Sequence, residues 1–210
     1  MEGNQNQEKG ILAKLLEKSI KILLRKECHK IGKIKIDITA SSIQILKGII
    51  QKIHIIAEEI NYKDLLFNEI ELEANNVKIN FKLSNKELKF KNEPIIKLKI
   101  SLSDILMKRI LLSNNWNWIA SMIAKEVLNH DQLEDITIIN NQLLIKVSTE
   151  KKTIFKEERF DIKAENGKIN LSNRTFKKSI SIPIEDKVYV ENITIKNNLV
   201  IVFASSSISF

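Results

Sequence analysis

Four times in this chain two runs of alternating apolar residues meet across an Asn-led pair: Asn85-Lys86, Asn140-Asn141, Asn166-Gly167 and Asn197-Asn198. A two-residue hairpin turn requires positive φ, which Asn and Gly tolerate best, so each pair predicts a tight turn. Pairing outward sets Leu83 against Leu88 and Phe81 against Phe90, then Ile138 against Leu143 and Ile136 against Ile145. It likewise sets Ala164 against Ile169, Ile162 against Leu171, Ile195 against Val200 and Ile193 against Val202. Apolar faces apolar in every case. The chain therefore predicts an antiparallel sheet of at least seven strands with one greasy face, and that face must be covered by another layer.

The runs outside the hairpins have the same period. Ile34, Ile36 and Ile38 alternate with Lys33, Lys35 and Asp37, Ile53, Ile55 and Ala57 follow Gly48, and Ile70, Leu72 and Ala74 alternate with Glu69, Glu71 and Glu73. Ile96, Leu98, Ile100 and Leu102 alternate with Lys97 and Lys99. Pro183 assigns SISIPI to an edge, and LVIVFA, apolar on both faces, belongs inside a sheet. Helical spacing occurs in two places. Residues 8–27 predict an amphipathic helix with Ile11, Leu12, Leu15, Leu16, Ile20, Ile22 and Leu23 on one wide arc and Lys14, Glu17, Lys18, Lys21 and Arg25 on the other. Ser103 is suited to cap a helix over 104–112, and a further helix over 116–128 carries Ile119, Met122, Ile123 and Val127.

At 210 residues the chain is expected to form one main domain over 31–210, preceded by the basic helix within 1–30. Nine Lys or Arg against four Glu lie within the first 35 residues, so much of the formal charge of +8 sits at that end. Such an excess attracts anionic lipid and nucleic acid alike. Cys28 is the only cysteine, which excludes an internal disulfide framework. The opening residues form neither a signal sequence nor a membrane span, and a cytoplasmic protein, peripheral to a membrane, is expected.

Little in the chain suggests catalysis. His29, His54 and His130 stand in unrelated contexts, Cys28 is a lone cysteine after an amphipathic helix, and there is neither a phosphate-cradling glycine loop nor a GxSxG elbow. Glu69, Glu71 and Glu73 at alternate strand positions read as a solvated face rather than a metal site. No enzyme activity, metal or cofactor is expected. Nucleic acid is not expected as a partner either, because Phe81, Phe90, Phe155 and Phe160 lie in apolar strand runs rather than interleaved with lysines as a stacking platform. Trp116 and Trp118, in NNWNW, suit either a membrane interface or the closing of one end of the core.

Three stretches together resemble the LmeA-like phospholipid-binding family, which has a tubular lipid-binding domain of the bactericidal permeability-increasing type. They are IIKLKISLSDILMKRIL, a lysine-alternating strand ending in a serine cap and helix; the hairpin ITIINNQLLIKV; and the closing IPIEDKVYVENITIKNNLVIVFASSSISF. The order of elements is similar over nearly the whole chain. The resemblance implies an α+β fold, a curved antiparallel sheet wrapped around a few helices, enclosing an elongated cavity for the acyl chains of a phospholipid. Its expected lining is Ile36, Ile70, Leu72, Ile100 and Leu102, then Ile105, Leu106, Ile119 and Ile123 from the helices, and Ile138, Ile145, Ile162 and Ile193 from the hairpins. Lys14, Lys18, Lys21 and Arg25, with Trp116 and Trp118, are the candidates for contact with an anionic membrane surface. A basic nucleic-acid-binding module and a solid-cored protein scaffold are the alternative readings of the same residues.

Overall fold

Alternating runs punctuated by turn residues build sheet. The computed structural model is accordingly α+β and dominated by antiparallel strands. It describes residues 10–82, 87–127, 129, 132–149, 154–173 and 178–207. Leu83, the Asn85-Lys86 turn, Leu128, His130 and the first residues of the expected amino-terminal helix lie outside them.

The chain begins with α1 (Ile11–Glu27), followed by β1 (Ile34–Thr39), α2 (Ser42–Leu46), β2 (Ile49–Tyr62), β3 (Leu65–Lys82), β4 (Glu87–Phe90) and β5 (Ile95–Ser103). Next come α3 (Asp104–Leu111) and α4 (Asn117–Met122), which passes into a π-helical turn, Ile123–Val127. The remaining strands are β6 (Gln132–Ile139), β7 (Gln142–Ser148), β8 (Phe155–Glu165), β9 (Lys168–Asn173), β10 (Lys178–Ile182), β11 (Val188–Lys196) and β12 (Leu199–Ser207).

These strands form two sheets rather than one. The larger has seven strands in the order β1-β2-β3-β5-β12-β11, with β4 paired to β3; the smaller runs β10-β9-β8-β7-β6. β12 lies between β5 and β11, as a strand apolar on both faces requires, and β10 is an edge strand with Pro183 just beyond it. The Asn140-Asn141, Asn166-Gly167 and Asn197-Asn198 hairpins have the expected registers, and all six turn residues have positive φ. Register differs at the first hairpin. Phe81 pairs with Leu88 and Ile79 with Phe90, two residues from the expected pairing. A shift of two preserves the faces, because side chains alternate with period two.

The apolar face of the large sheet is covered in two halves. Ala13, Leu16 and Ile20 of α1 and Ile45 of α2 pack over Ile36, Ile53, Ile55, Ala74 and Ile96. At the other end α3, α4, the π-helical turn and the small sheet close over Val200, Val202, Ile193 and Val190, with Phe160, Leu143, Ile145 and Val147 at the centre. Leu98 touches both cores, which makes them neighbours on one face. The sheets also meet at the β8–β9 turn: Val190 N donates to Gly167 O at 2.9 Å. A Cβ at Gly167 would stand 2.4 Å from the Tyr189 ring, which would have to swing aside, and the φ of 75° itself favours glycine there.

Candidate functional site

Side chains from both sheets and from the helices between them converge on an apolar cleft. Leu65 and Phe67 of β3, Leu102 of β5, and Val200 and Val202 of β12 form one wall. Ile136 and Leu143, Ile162, Ile169 and Leu171, and Ile182 form the other, from β6 through β10. Met107, Ile110 and Leu111 of α3, Ile119 of α4 and Ile123 of the π-helical turn line a third side. The cleft is open on one side and has a volume of 190 Å³, and every one of these lining residues is apolar.

Local chemistry holds the helices in place beside this space. The Ser103 hydroxyl accepts from Leu106 N and caps α3, as expected from the sequence, and Ser103 N in turn donates to Asn68 Oδ1 on β3 at 2.6 Å. Lys108 Nζ pairs with Asp135 Oδ1 at 2.8 Å, fixing α3 to the small sheet. The β2–β3 hairpin reaches over α4, where Trp116 Nε1 donates to Lys63 O at 3.0 Å and Asn115 Nδ2 donates to Asp64 Oδ2 at 2.5 Å. Lys63 and Asp64 both have positive φ, so this tip is a further tight turn that the sequence does not advertise.

Of the expected lining residues, Leu102, Ile119, Ile123 and Ile162 border the cleft. Ile138, Ile145 and Ile193 are buried in the core behind it, and Ile100 packs against that core. Ile36 and Leu72 belong instead to the core beneath α1, and Ile70 is half-buried between β2 and β5. Leu106 is half-buried. Ile105 is 69% exposed and does not border the cleft, because Met107, Ile110 and Leu111 set the inward face of α3. The rest of the lining was not expected: Leu65, Phe67, Val200 and Val202 from the large sheet, Met107, Ile110 and Leu111 from α3, and Ile136, Leu143, Ile169, Leu171 and Ile182 from the small sheet. Val200 and Val202 carry a signal, since the expected hairpin sets them opposite Ile195 and Ile193, but their pairing with Leu102 and Ile100 is decided only by the fold.

The expected membrane-surface residues divide. Trp116 packs against the core with its indole N–H engaged, whereas Trp118 is 45% exposed. Lys14, Lys18 and Arg25 are exposed on α1, and Lys21 is half-buried.

The opposite face of the large sheet is charged. His54 Nε2 lies 2.8 Å from Glu71 Oε1, Lys99 Nζ lies 3.1 Å from Glu71 Oε2, and Lys52 pairs with Glu73. The His54 hydrogen bond, followed by that of Lys99, holds the Glu71 carboxyl below its ordinary range, and Lys52 does the same for Glu73. A 360 Å³ groove along this face is lined by Glu71, Glu73, Lys97, Lys99 and Glu191 with Phe203, and its central carboxylates already have partners. Among the described residues no group of three His, Cys, Asp or Glu is placed to hold a metal, and no helix is long and apolar enough to cross a membrane.

No protein family, no curated protein and no solved structure matches the chain.

Proposed function

We propose that this protein is a non-enzymatic lipid-binding protein that takes hydrocarbon into the cleft between its two sheets and works at a membrane surface. The observation that supports this most directly is the wholly apolar lining of a space that polar ligands have nothing to grip. Each methylene moved there from water contributes about 0.8 kcal/mol. An apolar cavity of about 150 Å³ is enough for a benzene-sized guest, whereas drug-sized ligands occupy about 300–1,000 Å³. At 190 Å³ the cleft suits one hydrocarbon segment, and a second acyl chain requires the sheets to part. The likeness to LmeA-like phospholipid-binding proteins supports the same reading through its quoted stretches and order of elements.

Native mass spectrometry of the purified protein, followed by solvent extraction, tests the proposal. The protein is expected to carry a lipid, or to take one up on refolding with a lipid mixture. Lipid-free protein in both preparations, with no saturable binding of an apolar probe, would leave a solid-cored interaction domain as the better reading.

A further inference from the structure

α1 does not bury its whole apolar arc. Ala13, Leu16 and Ile20 face the sheet, while Ile11, Leu15 and Ile22, at spacings of four and seven, form a second stripe that points away from it. Ile11 is 79% exposed and Ile22 is 53% exposed. Lys14, Lys18, Lys21 and Arg25, at spacings of four, three and four, run alongside that stripe.

α2 adjoins the amino-terminal end of α1. This five-residue helix is set by a capping box in which the Ser41 hydroxyl accepts from Gln44 N and Ser41 N donates to Gln44 Oε1. Ile45 turns inward, leaving Ile43 and Leu46 at 66% and 69% exposed. The two helices touch at this end: a Cβ on Gly10 would lie 2.9 Å from Ser42 Oγ, and Leu12 and Leu46 line one small pocket. That pocket, 90 Å³ in volume, has Lys47, Lys91 and Asn80 as its polar side chains and, among the described residues, no carboxylate in its lining. Three bulky aliphatic side chains held in water beside a basic pocket and a row of cations match one kind of surface, hydrocarbon beneath a layer of negative charge.

We propose that the end of the molecule formed by α1 and α2 docks onto an anionic phospholipid bilayer, with Ile11, Ile43 and Leu46 entering the hydrocarbon boundary and a headgroup phosphate held by Lys47 and Lys91. This rests on the reading of the chain as a protein that works at membranes, and it specifies the face and the charge of the lipid. The docking end and the cleft lie over opposite halves of the large sheet, so each can be disabled without touching the other.

The test is flotation of the full chain with vesicles of phosphatidylcholine alone or mixed with phosphatidylserine, alongside uptake of a fluorescent fatty acid from solution. Wild type is expected to float with the mixed vesicles and not with the neutral ones. Lys47→Glu with Lys91→Glu is expected to lower that binding more than about tenfold, because each basic residue near an anionic surface is worth about fivefold. Ile43→Ser with Leu46→Ser is expected to abolish flotation at unchanged melting temperature, both positions being open to water. Fatty-acid uptake should be unchanged in both pairs. Equal flotation of wild type and both variants overturns the proposal, as does absence of wild-type binding to anionic vesicles. Conversion of a dimer to a monomer by Leu46→Ser, with vesicle binding intact, would reassign the face to a second copy of the chain. Docking that persists in a protein unable to take up fatty acid would leave this inference standing while removing the cleft as the lipid site.

Discussion

Ile123 is the position where the cleft can be separated from ordinary core. It is 2% exposed, sits in the π-helical turn after α4, and borders the 190 Å³ space. Ile145, fully buried in the same core, does not border it. Truncation of either to Ala removes three carbons and is expected to cost about 2–5 kcal/mol, since surrounding groups relax only in part. For a chain of this size that is a fall in melting temperature of about 4–20 °C. The two variants diverge once hydrocarbon is present. Space vacated at Ile123 joins the cleft and admits about one to three further methylenes of a bound chain, a gain of about 0.8–2.4 kcal/mol. That corresponds to about fourfold to 60-fold tighter binding, with the ordering of the chain pulling the result toward the lower figure. Space vacated at Ile145 is sealed within the core and adds nothing. Calorimetric titration with a homologous series of fatty acids reads the difference: Ile123→Ala should bind more tightly and prefer longer members, while Ile145→Ala should match wild type. Equal affinities in the two variants would refute the assignment of this cleft as the hydrocarbon site.

Two further outcomes test the fold and its charged face. Glu71→Gln removes a carboxylate whose pKa is depressed from an ordinary 4.5, so the wild type should be the more stable above that pH and lose its advantage as pH falls through the lower folded value. Partial exposure limits the difference to about 0.2–1 kcal/mol, measurable by urea melts at a series of pH values, and an advantage that grew on acidification would contradict the pairing. Asn141→Val forces a β-branched residue to a φ of 59° and should cost about 1–2 kcal/mol, or about 2–8 °C in melting temperature, whereas Asn141→Gly should be tolerated.

Where local chemistry decides the structure, it can be read from the chain. The Asn-led turns need positive φ at both residues, and few side chains accept it, so the Asn140, Asn166 and Asn197 hairpins and their registers follow from the residues alone. Ser103 likewise announces the start of α3, and the mid-sheet position of β12 follows from its two apolar faces. α2 was legible but disguised: Ile43 and Ile45 mimic strand alternation, while the capping box from Ser41 to Gln44 is the signal that marks a helix.

Other features depend on residues far apart in the chain. The Lys63-Asp64 turn has no strong turn sequence, and the long pairing of β2 with β3 brings it about. Alternation shows that Ile36 and Ile162 face inward but not that one lies under α1 and the other on the cleft, because period two marks a face and says nothing of the strand or helix opposite. The same limit hid the division into two sheets. Ile11 and Ile20 are equally apolar, and the helix could have rotated to bury either; contact with Ile36, Ile53 and Ile96 selected Ile20 and left Ile11 in water. The residues thus determined which surfaces were greasy, and the tertiary packing decided which were buried, which were left facing solvent, and where a gap remained between them.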